Sequence, residues 1–158
     1  QNSQLDIPQT FKQLNLKKIR RIVICGMGGS AISADIAKTA FGNLIPIEVV
    51  KDYSIPYLDN ETLIITISYS GNTEETLSCL QQGMEKTDFI AAITSGGKVK
   101  NIVDGRYCWA ELPIGLPPRS AIGYLFFSLV KILENFNIIL PQEQMVKQLI
   151  TDLIKKAG

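Results

Sequence analysis

The stretch that decides the fold is LIITISYSGNTEET, residues 63–76. Its first five residues are all apolar or β-branched, as in a strand that is buried on both faces. Glu74 and Glu75 are typical of the first turn of a helix, where carboxylates face the positive end of the helix dipole. Between these two elements, residues 68–73 bring together small hydroxyls, a glycine and an amide side chain. The stretch therefore predicts a strand, a polar loop and a helix in succession.

The same succession repeats along the chain. Five short runs rich in apolar and β-branched residues predict strands, at 21–25, 45–50, 62–68, 89–94 and 106–112. Apolar residues at helical spacing predict helices at 30–41, 73–84 and 120–136, with an amphipathic last helix after Pro141. We interpret Gly96 and Gly97 as a break before a short connection. This order predicts an α/β fold, a three-layer sandwich with a five-stranded parallel sheet flanked by helices.

The 158 residues match one ordinary domain with additions at both ends. We predict a helical extension at 1–20, a core domain at 21–136 and a helical segment at 137–158. The helix at 120–136 is apolar nearly all round, and the last helix carries an apolar stripe, so both predict surfaces that dock on the core or on a partner. Because the chain does not begin with Met, we expect it to be a piece of a longer protein.

The composition narrows the classes of function. A net charge of +1 supplies no electrostatic attraction to nucleic acid or to an anionic membrane. The chain contains no histidine, the commonest general base and zinc ligand, so we expect no metal site and no Ser-His-Asp arrangement. Three cysteines, two of them in predicted strands, are interpreted as small core hydrophobes in a reducing cytoplasm. We expect a cytoplasmic protein without a cofactor.

Two polar loops follow predicted strands. Parallel sheets bind ligands beyond the carboxyl ends of their strands, where helix N-termini supply unpaired N–H groups. The loop at 26–30, GMGGS, lets the backbone approach a ligand closely. The loop at 68–73 offers donors of two kinds: the hydroxyls of Ser68, Ser70 and Thr73, and the backbone N–H groups of Gly71, Asn72 and Thr73. Convergent neutral donors at a helix N-terminus predict a phosphate site.

Each loop also has a competing interpretation. Asn72 followed by Glu75 resembles a capping box, which would explain one residue of the second loop by helix capping alone. The first loop satisfies the looser dinucleotide pattern from Gly26 to Ala31, with Asp52 placed to hold a ribose. A phosphate-binding P-loop has no match in the sequence.

Arg119 lies in or just before the first turn of the predicted long helix. A positive charge there is disfavoured by roughly 0.3–1 kcal/mol, so its placement makes sense beside an anion or a developing oxyanion. The alternative is a solvated surface arginine. None of the nearby glutamates is predicted as a catalytic base. The helix dipole explains Glu74 and Glu75 in the first turn, and Glu111 is explained as a surface residue at a strand end.

Three segments, in this order and spacing, resemble the SIS (sugar isomerase) domain: GMGGS at 26–30, SYSGNTEET at 68–76 and GLPPRSA at 115–121. The similarity is to the N-terminal SIS domain of the bifunctional phosphoglucose/phosphomannose isomerases, and it runs from about Arg21 to Phe136. It implies a five-stranded parallel sheet flanked by helices. It also implies a phosphosugar substrate, with glucose 6-phosphate and mannose 6-phosphate converted to fructose 6-phosphate through an enediolate.

The resemblance also implies residue roles. Ser68, Ser70 and Thr73 would hold the phosphate, the sugar side would be lined by Gly28, Gly29 and Ser30, and Arg119 would stabilise the enediolate. Enzymes of this family carry a second SIS domain and work as dimers, and that second domain supplies a glutamate base and a ring-opening histidine. We therefore expect this chain to bind the phosphosugar but to be inactive alone. A phosphosugar-sensing regulatory module is the alternative within the same family.

Overall fold

The computed structural model describes residues 5–53, 55–141 and 143–156. Over these residues the strands are β1 (Leu5–Asp6), β2 (Arg21–Cys25), β3 (Ile47–Val50), β4 (Thr62–Ser68), β5 (Ile90–Thr94) and β6 (Cys108–Glu111). The α-helices are α1 (Gly29–Phe41), α2 (Glu74–Met84), α3 (Gly97–Val103), α4 (Pro118–Asn135) and α5 (Glu143–Lys156).

The strands form one sheet in the order β1-β6-β5-β4-β2-β3. The five strands from β2 to β6 are parallel, which confirms the predicted five-stranded parallel sheet. The sheet has one addition, because β1 pairs antiparallel with β6 at its edge. All seven residues of the central strand β4 are buried, as expected for a strand covered on both faces.

Helices cover both faces of the sheet and complete the three layers. On one face, α1 and α4 pack on a large apolar cluster that includes Ile24, Ile65 and Phe126. On the other face, α2 and α3 pack on two smaller clusters, one around Val23 and Ile64 and the other around Ile90 and Trp109. The amphipathic helix α5 lies against α4. None of the described helices is long and apolar enough to cross a membrane.

Two local features differ from the sequence-based expectation. The extension predicted to be helical over 1–20 contains, over its described part, the strand β1 and two short 3-10 helices, Gln9–Gln13 and Leu16–Lys18. Pro8 precedes the first of these in extended conformation, and the backbone of Leu5 pairs with β6, so no α-helix forms there. The connection predicted after Gly96 is instead the seven-residue helix α3.

The three cysteines, Cys25, Cys79 and Cys108, are free and buried, which confirms their interpretation as small core residues. Burial raises the pKa of the Cys108 thiol to about 12. A hydrogen bond to Cys79, together with burial, raises the pKa of Cys25. The same hydrogen bond lowers the pKa of Cys79. Cys25 and Cys108 therefore remain protonated at neutral pH and act as packing groups.

Candidate functional site

The candidate site lies where the strand order reverses. Strand β2 pairs with β3 on one side and with β4 on the other, and the connections after β2 and β4 lead to helices on opposite faces of the sheet. This arrangement opens a crevice at the carboxyl end of a doubly wound sheet, the usual ligand position in such folds. The two predicted loops, 26–30 and 68–73, both lie at this crevice because they leave these two neighbouring strands.

The glycine loop brings backbone to the mouth of the crevice. Gly28 is the N-cap residue of α1 and has a φ of 55°, a conformation that favours glycine. Gly28 and Gly29 are exposed, whereas Ser30 is 8% exposed at the first turn of the helix. A Cβ on Gly29 would lie 4.0 Å from Ile122 of α4, so the starts of α1 and α4 are close together. The first turn of α4, which carries Arg119, therefore approaches the glycine loop.

The hydroxyl loop is organised around Ser68, which is 2% exposed. Its Oγ accepts the N–H of Gly71 at 3.0 Å and that of Thr73 at 3.4 Å. It also lies 2.8 Å from the Oγ1 of Thr73. Either hydroxyl can be the donor of this pair, and the two N–H groups that approach the Ser68 oxygen favour Ser68 as the donor. The hydrogen of the Thr73 hydroxyl then remains available to a ligand.

Ser70 supplies the second available hydroxyl. It is exposed, and its Oγ accepts the N–H of Asn72 at 3.1 Å, so its hydrogen is not used by that contact. Thr73 is the N-cap residue of α2 and caps no N–H group with its side chain. The first-turn N–H groups of α2, at Glu74 and Glu75, have no partner within the helix and add to the positive end of its dipole. Two hydroxyl donors and a helix N-terminus thus converge.

The capping interpretation of Asn72 is wrong. Its side-chain Oδ1 accepts the N–H of Lys98 at 3.1 Å, so it caps α3 rather than α2. The carbonyl of Gly71 accepts the next N–H of α3, from Val99, at 2.9 Å. The side chain of Asn72 is therefore a brace between two loops. Its backbone N–H, the predicted ligand donor, donates to the Ser70 Oγ at 3.1 Å, and its contact with a phosphate stays a prediction.

Gly71 sits at the tightest point of this brace. Its φ is 78°, and a Cβ built there would lie 1.8 Å from the carbonyl oxygen of Gly96. Only glycine fits because the backbone of the next loop occupies the space of a side chain. The loops after β4 and β5 are consequently held as one unit beneath Ser70 and Thr73.

Arg119 lies at the second position of α4, close to where the sequence placed it. It is exposed and makes no hydrogen bond or ion pair with any residue that the structure describes. Two prolines, Pro117 and Pro118, set the entry of the chain into the helix. A guanidinium at a helix N-terminus without a protein partner is available to an anionic group of a ligand.

Three of the acidic residues near the crevice, Asp52, Glu74 and Glu111, have other partners. Glu74 accepts a hydrogen bond from the Tyr53 hydroxyl at 3.1 Å, and this bond raises the pKa of Tyr53. Glu111 pairs with Lys100 at 3.2 Å. Asp52, the candidate ribose ligand, accepts the N–H of Tyr53 at 2.7 Å. Within the described ranges, no group of three or more Cys, Asp or Glu residues could hold a metal ion.

A family model described as the SIS domain matches residues 15–102, which are 88 of the 158 residues. The bifunctional phosphoglucose/phosphomannose isomerase of Caldicellulosiruptor bescii is 41% identical over 135 residues, covering 82% of this chain and 40% of that protein. The protein of the same name from Thermoplasma volcanium is 42% identical over 120 residues, covering 75% of this chain and 38% of that protein. The chain thus spans about 40% of the length of these curated relatives.

Solved structures agree on the fold. Tagatose-6-phosphate ketose/aldose isomerase from Escherichia coli matches with a TM-score of 0.64 at 18% identity, over 89% of this chain and 44% of that one. At this level of identity the similarity concerns the fold alone. Together with the family model that matches more than half of its residues, the doubly wound sheet and the two loops at the strand reversal establish that this chain belongs to the SIS domain family.

Proposed function

We propose that this chain is the phosphosugar-binding domain of an aldose–ketose isomerase that interconverts glucose 6-phosphate or mannose 6-phosphate with fructose 6-phosphate. The observation that carries the proposal is the placement of the Ser70 and Thr73 hydroxyls at the N-terminus of α2, in a loop that leaves the strand next to the one before the glycine loop. The names of the two relatives support the choice of reaction.

The phosphate is bound through the hydroxyl loop. Ser70 and Thr73 donate their free hydrogens to phosphate oxygens, and the dipole of α2 adds to the attraction. Ser68 supports this contact by holding the Thr73 hydroxyl in position through their hydrogen bond. When this bond breaks, the Ser68 hydroxyl also binds the phosphate. Gly28, Gly29 and Ser30 line the sugar side, where the lack of side chains at the glycines leaves room for the sugar carbons.

Arg119 acts on the reacting end of the sugar. A base removes the proton from C2 of the open-chain aldose, the electron pair forms the C1–C2 double bond, and negative charge develops on the carbonyl oxygen. The guanidinium of Arg119 stabilises that charge until the proton of the C2 hydroxyl has passed to the C1 oxygen and the C1 carbon is protonated, which gives the ketose. Glu74 and Glu111 are held by other partners, and we propose that the base comes from a second SIS domain.

This chain by itself is accordingly proposed to bind phosphosugars without turning them over. The full enzyme would combine it with a second SIS domain of the same polypeptide and assemble as a homodimer in the cytoplasm. No cofactor is proposed, since proton transfer through an enediolate needs none. The competing proposal, a phosphosugar sensor, shares the binding site and lacks turnover even when the rest of the polypeptide is present.

Calorimetric titration with fructose 6-phosphate tests the proposal. Ser70→Ala removes one charge-assisted hydrogen bond and is expected to weaken binding by about tenfold or more. Thr39→Ala is the matched control, because Thr39 is an exposed hydroxyl on α1 that bonds within its own helix, to Asp35. Equal affinity of both variants would contradict the phosphate site. Binding of NAD with no response to the sugar phosphate would restore the dinucleotide interpretation of the glycine loop.

A further inference from the structure

Tyr69 differs from its neighbours because it reaches two other loops at once. Its hydroxyl donates to the carbonyl of Pro113 at 2.6 Å and accepts the N–H of Leu116 at 3.1 Å. Its main-chain carbonyl accepts the N–H of Ser95 at 3.0 Å. Tyr69 thereby joins the loop after β4 to the loop after β5 and to the segment that leads into α4.

The Tyr69 hydroxyl has no hydrogen left for chemistry. Its single hydrogen is donated to Pro113, and one lone pair is occupied by Leu116. A residue bonded in this way is not placed to transfer a proton to a substrate. Its contribution is therefore geometric.

The segment that Tyr69 holds, residues 113–116, has few other anchors. Ile114 is 85% exposed, and the two bonds to Tyr69 are the hydrogen bonds that these four residues make within the described part of the chain. Arg119 follows three residues later, in the first turn of α4. The position of its backbone relative to the hydroxyl loop is thus set by the packing of α4 on the core and, at the start of the helix, by the two bonds to Tyr69.

We infer that Tyr69 is a positioning residue that sets the distance between Arg119 and the Ser70 and Thr73 hydroxyls that bind the phosphate. This inference rests on the proposed function. The two hydrogen bonds of the Tyr69 hydroxyl form a tie between the loop after β4 and residues 113–116. Ser70 follows Tyr69 directly, so one end of this tie lies at the proposed phosphate site. The other end is the segment before Arg119. A sugar held by its phosphate then presents C1 and C2 at a set distance from the guanidinium.

A double-mutant cycle tests the inference on the full chain. The probe is arabinonate 5-phosphate, whose carboxylate carries negative charge near the place of the enediolate oxygens. In the unaltered background, Arg119→Ala is expected to weaken its binding by about tenfold. In the Tyr69→Phe background, the same substitution is expected to weaken it by less than about threefold, because Arg119 is no longer held in place. An equal factor in both backgrounds would overturn the inference.

A second readout does not depend on any ligand. Tyr69→Phe keeps the ring but removes the acceptor of the Leu116 N–H, so hydrogen exchange at Leu116 is expected to accelerate while exchange in the buried strand β4 is unchanged. Tyr57→Phe is the control, since Tyr57 is 80% exposed and its hydroxyl makes no hydrogen bond with a described residue. Unchanged exchange at Leu116 in Tyr69→Phe would overturn the tie.

Failure of the proposed function and failure of the inferred role of Tyr69 give different results. If the unaltered chain binds neither fructose 6-phosphate nor arabinonate 5-phosphate, the proposed function fails, and the inferred action on Arg119 fails with it. If both ligands bind and the cycle shows no coupling, the inference alone is overturned.

Discussion

Replacing Gly71 with alanine probes the contact on which the site is built. A Cβ at this position would lie 1.8 Å from the carbonyl oxygen of Gly96 and 2.8 Å from the Oγ1 of Thr94. Restoring even 3.0 Å to the carbonyl requires a shift of 3.0 − 1.8 = 1.2 Å, so the loops after β4 and β5 must separate. The brace from Gly71 and Asn72 to the start of α3 is then broken.

The expected loss of stability follows from two terms. An L-residue in the left-handed conformation costs about 1–2 kcal/mol, and forcing an additional methyl into packed structure costs about 1–3 kcal/mol. Gly71→Ala should therefore lower the free energy of unfolding by about 2–5 kcal/mol, a large fraction of the total of a small domain.

Gly105→Ala is the matched control. Gly105 has nearly the same φ, 76°, but a Cβ there would meet nothing within 4 Å. This variant should lose only the conformational term of about 1–2 kcal/mol. Urea unfolding followed by the fluorescence of Trp109, the single and buried tryptophan, measures both. Equal losses in the two variants would refute the argument that backbone contact, rather than φ alone, requires glycine at position 71.

Three further predictions concern other parts of the chain. Asn72→Ala should lower the free energy of unfolding by about 1 kcal/mol because the cap of α3 is lost, whereas Asn72→Asp should keep most of the stabilisation by the cap. Thermal unfolding compares the two variants, and equal melting temperatures would contradict the cap. Cys108, with its pKa raised by burial to about 12, should resist iodoacetamide at pH 8 until the chain unfolds, as mass spectrometry of labelled peptides would show. The N–H of Glu61 and the hydroxyl of Thr62 hold the pKa of Asp59 below its usual value. The contribution of Asp59 to the free energy of unfolding is therefore present above about pH 4 and is lost as the pH falls through the lowered pKa. The stability difference between the unaltered chain and Asp59→Ala should therefore shrink at acid pH, and a constant difference would contradict this assignment.

The sheet and the long helices could be predicted because their signals are local. The apolar runs of β2 and β4 and the helical spacing within α1 and α4 are contained in short windows of sequence. The two polar loops could be located for the same reason, since parallel strands bring their carboxyl ends to one edge of the sheet.

The features that the sequence did not reveal depend on contacts between distant residues. Helix α3 is short, and the acceptor for the N–H of Lys98 is Asn72, 26 residues earlier in the chain. Local spacing offers the capping of α2 as a competing interpretation of Asn72, because it cannot show a partner in another loop. The role of Tyr69 was missed likewise, although an aromatic residue among small hydroxyls was a signal, since a partly buried tyrosine hydroxyl needs a partner.

NMR titration of the chain with fructose 6-phosphate tests the central claim most directly. We expect saturable shifts of the backbone amides at 28–30 and 70–75, with the amides around Gly105 unchanged. Shifts confined to other surfaces, or no shift at millimolar sugar phosphate, would contradict the assignment of the strand-reversal crevice as a phosphosugar site.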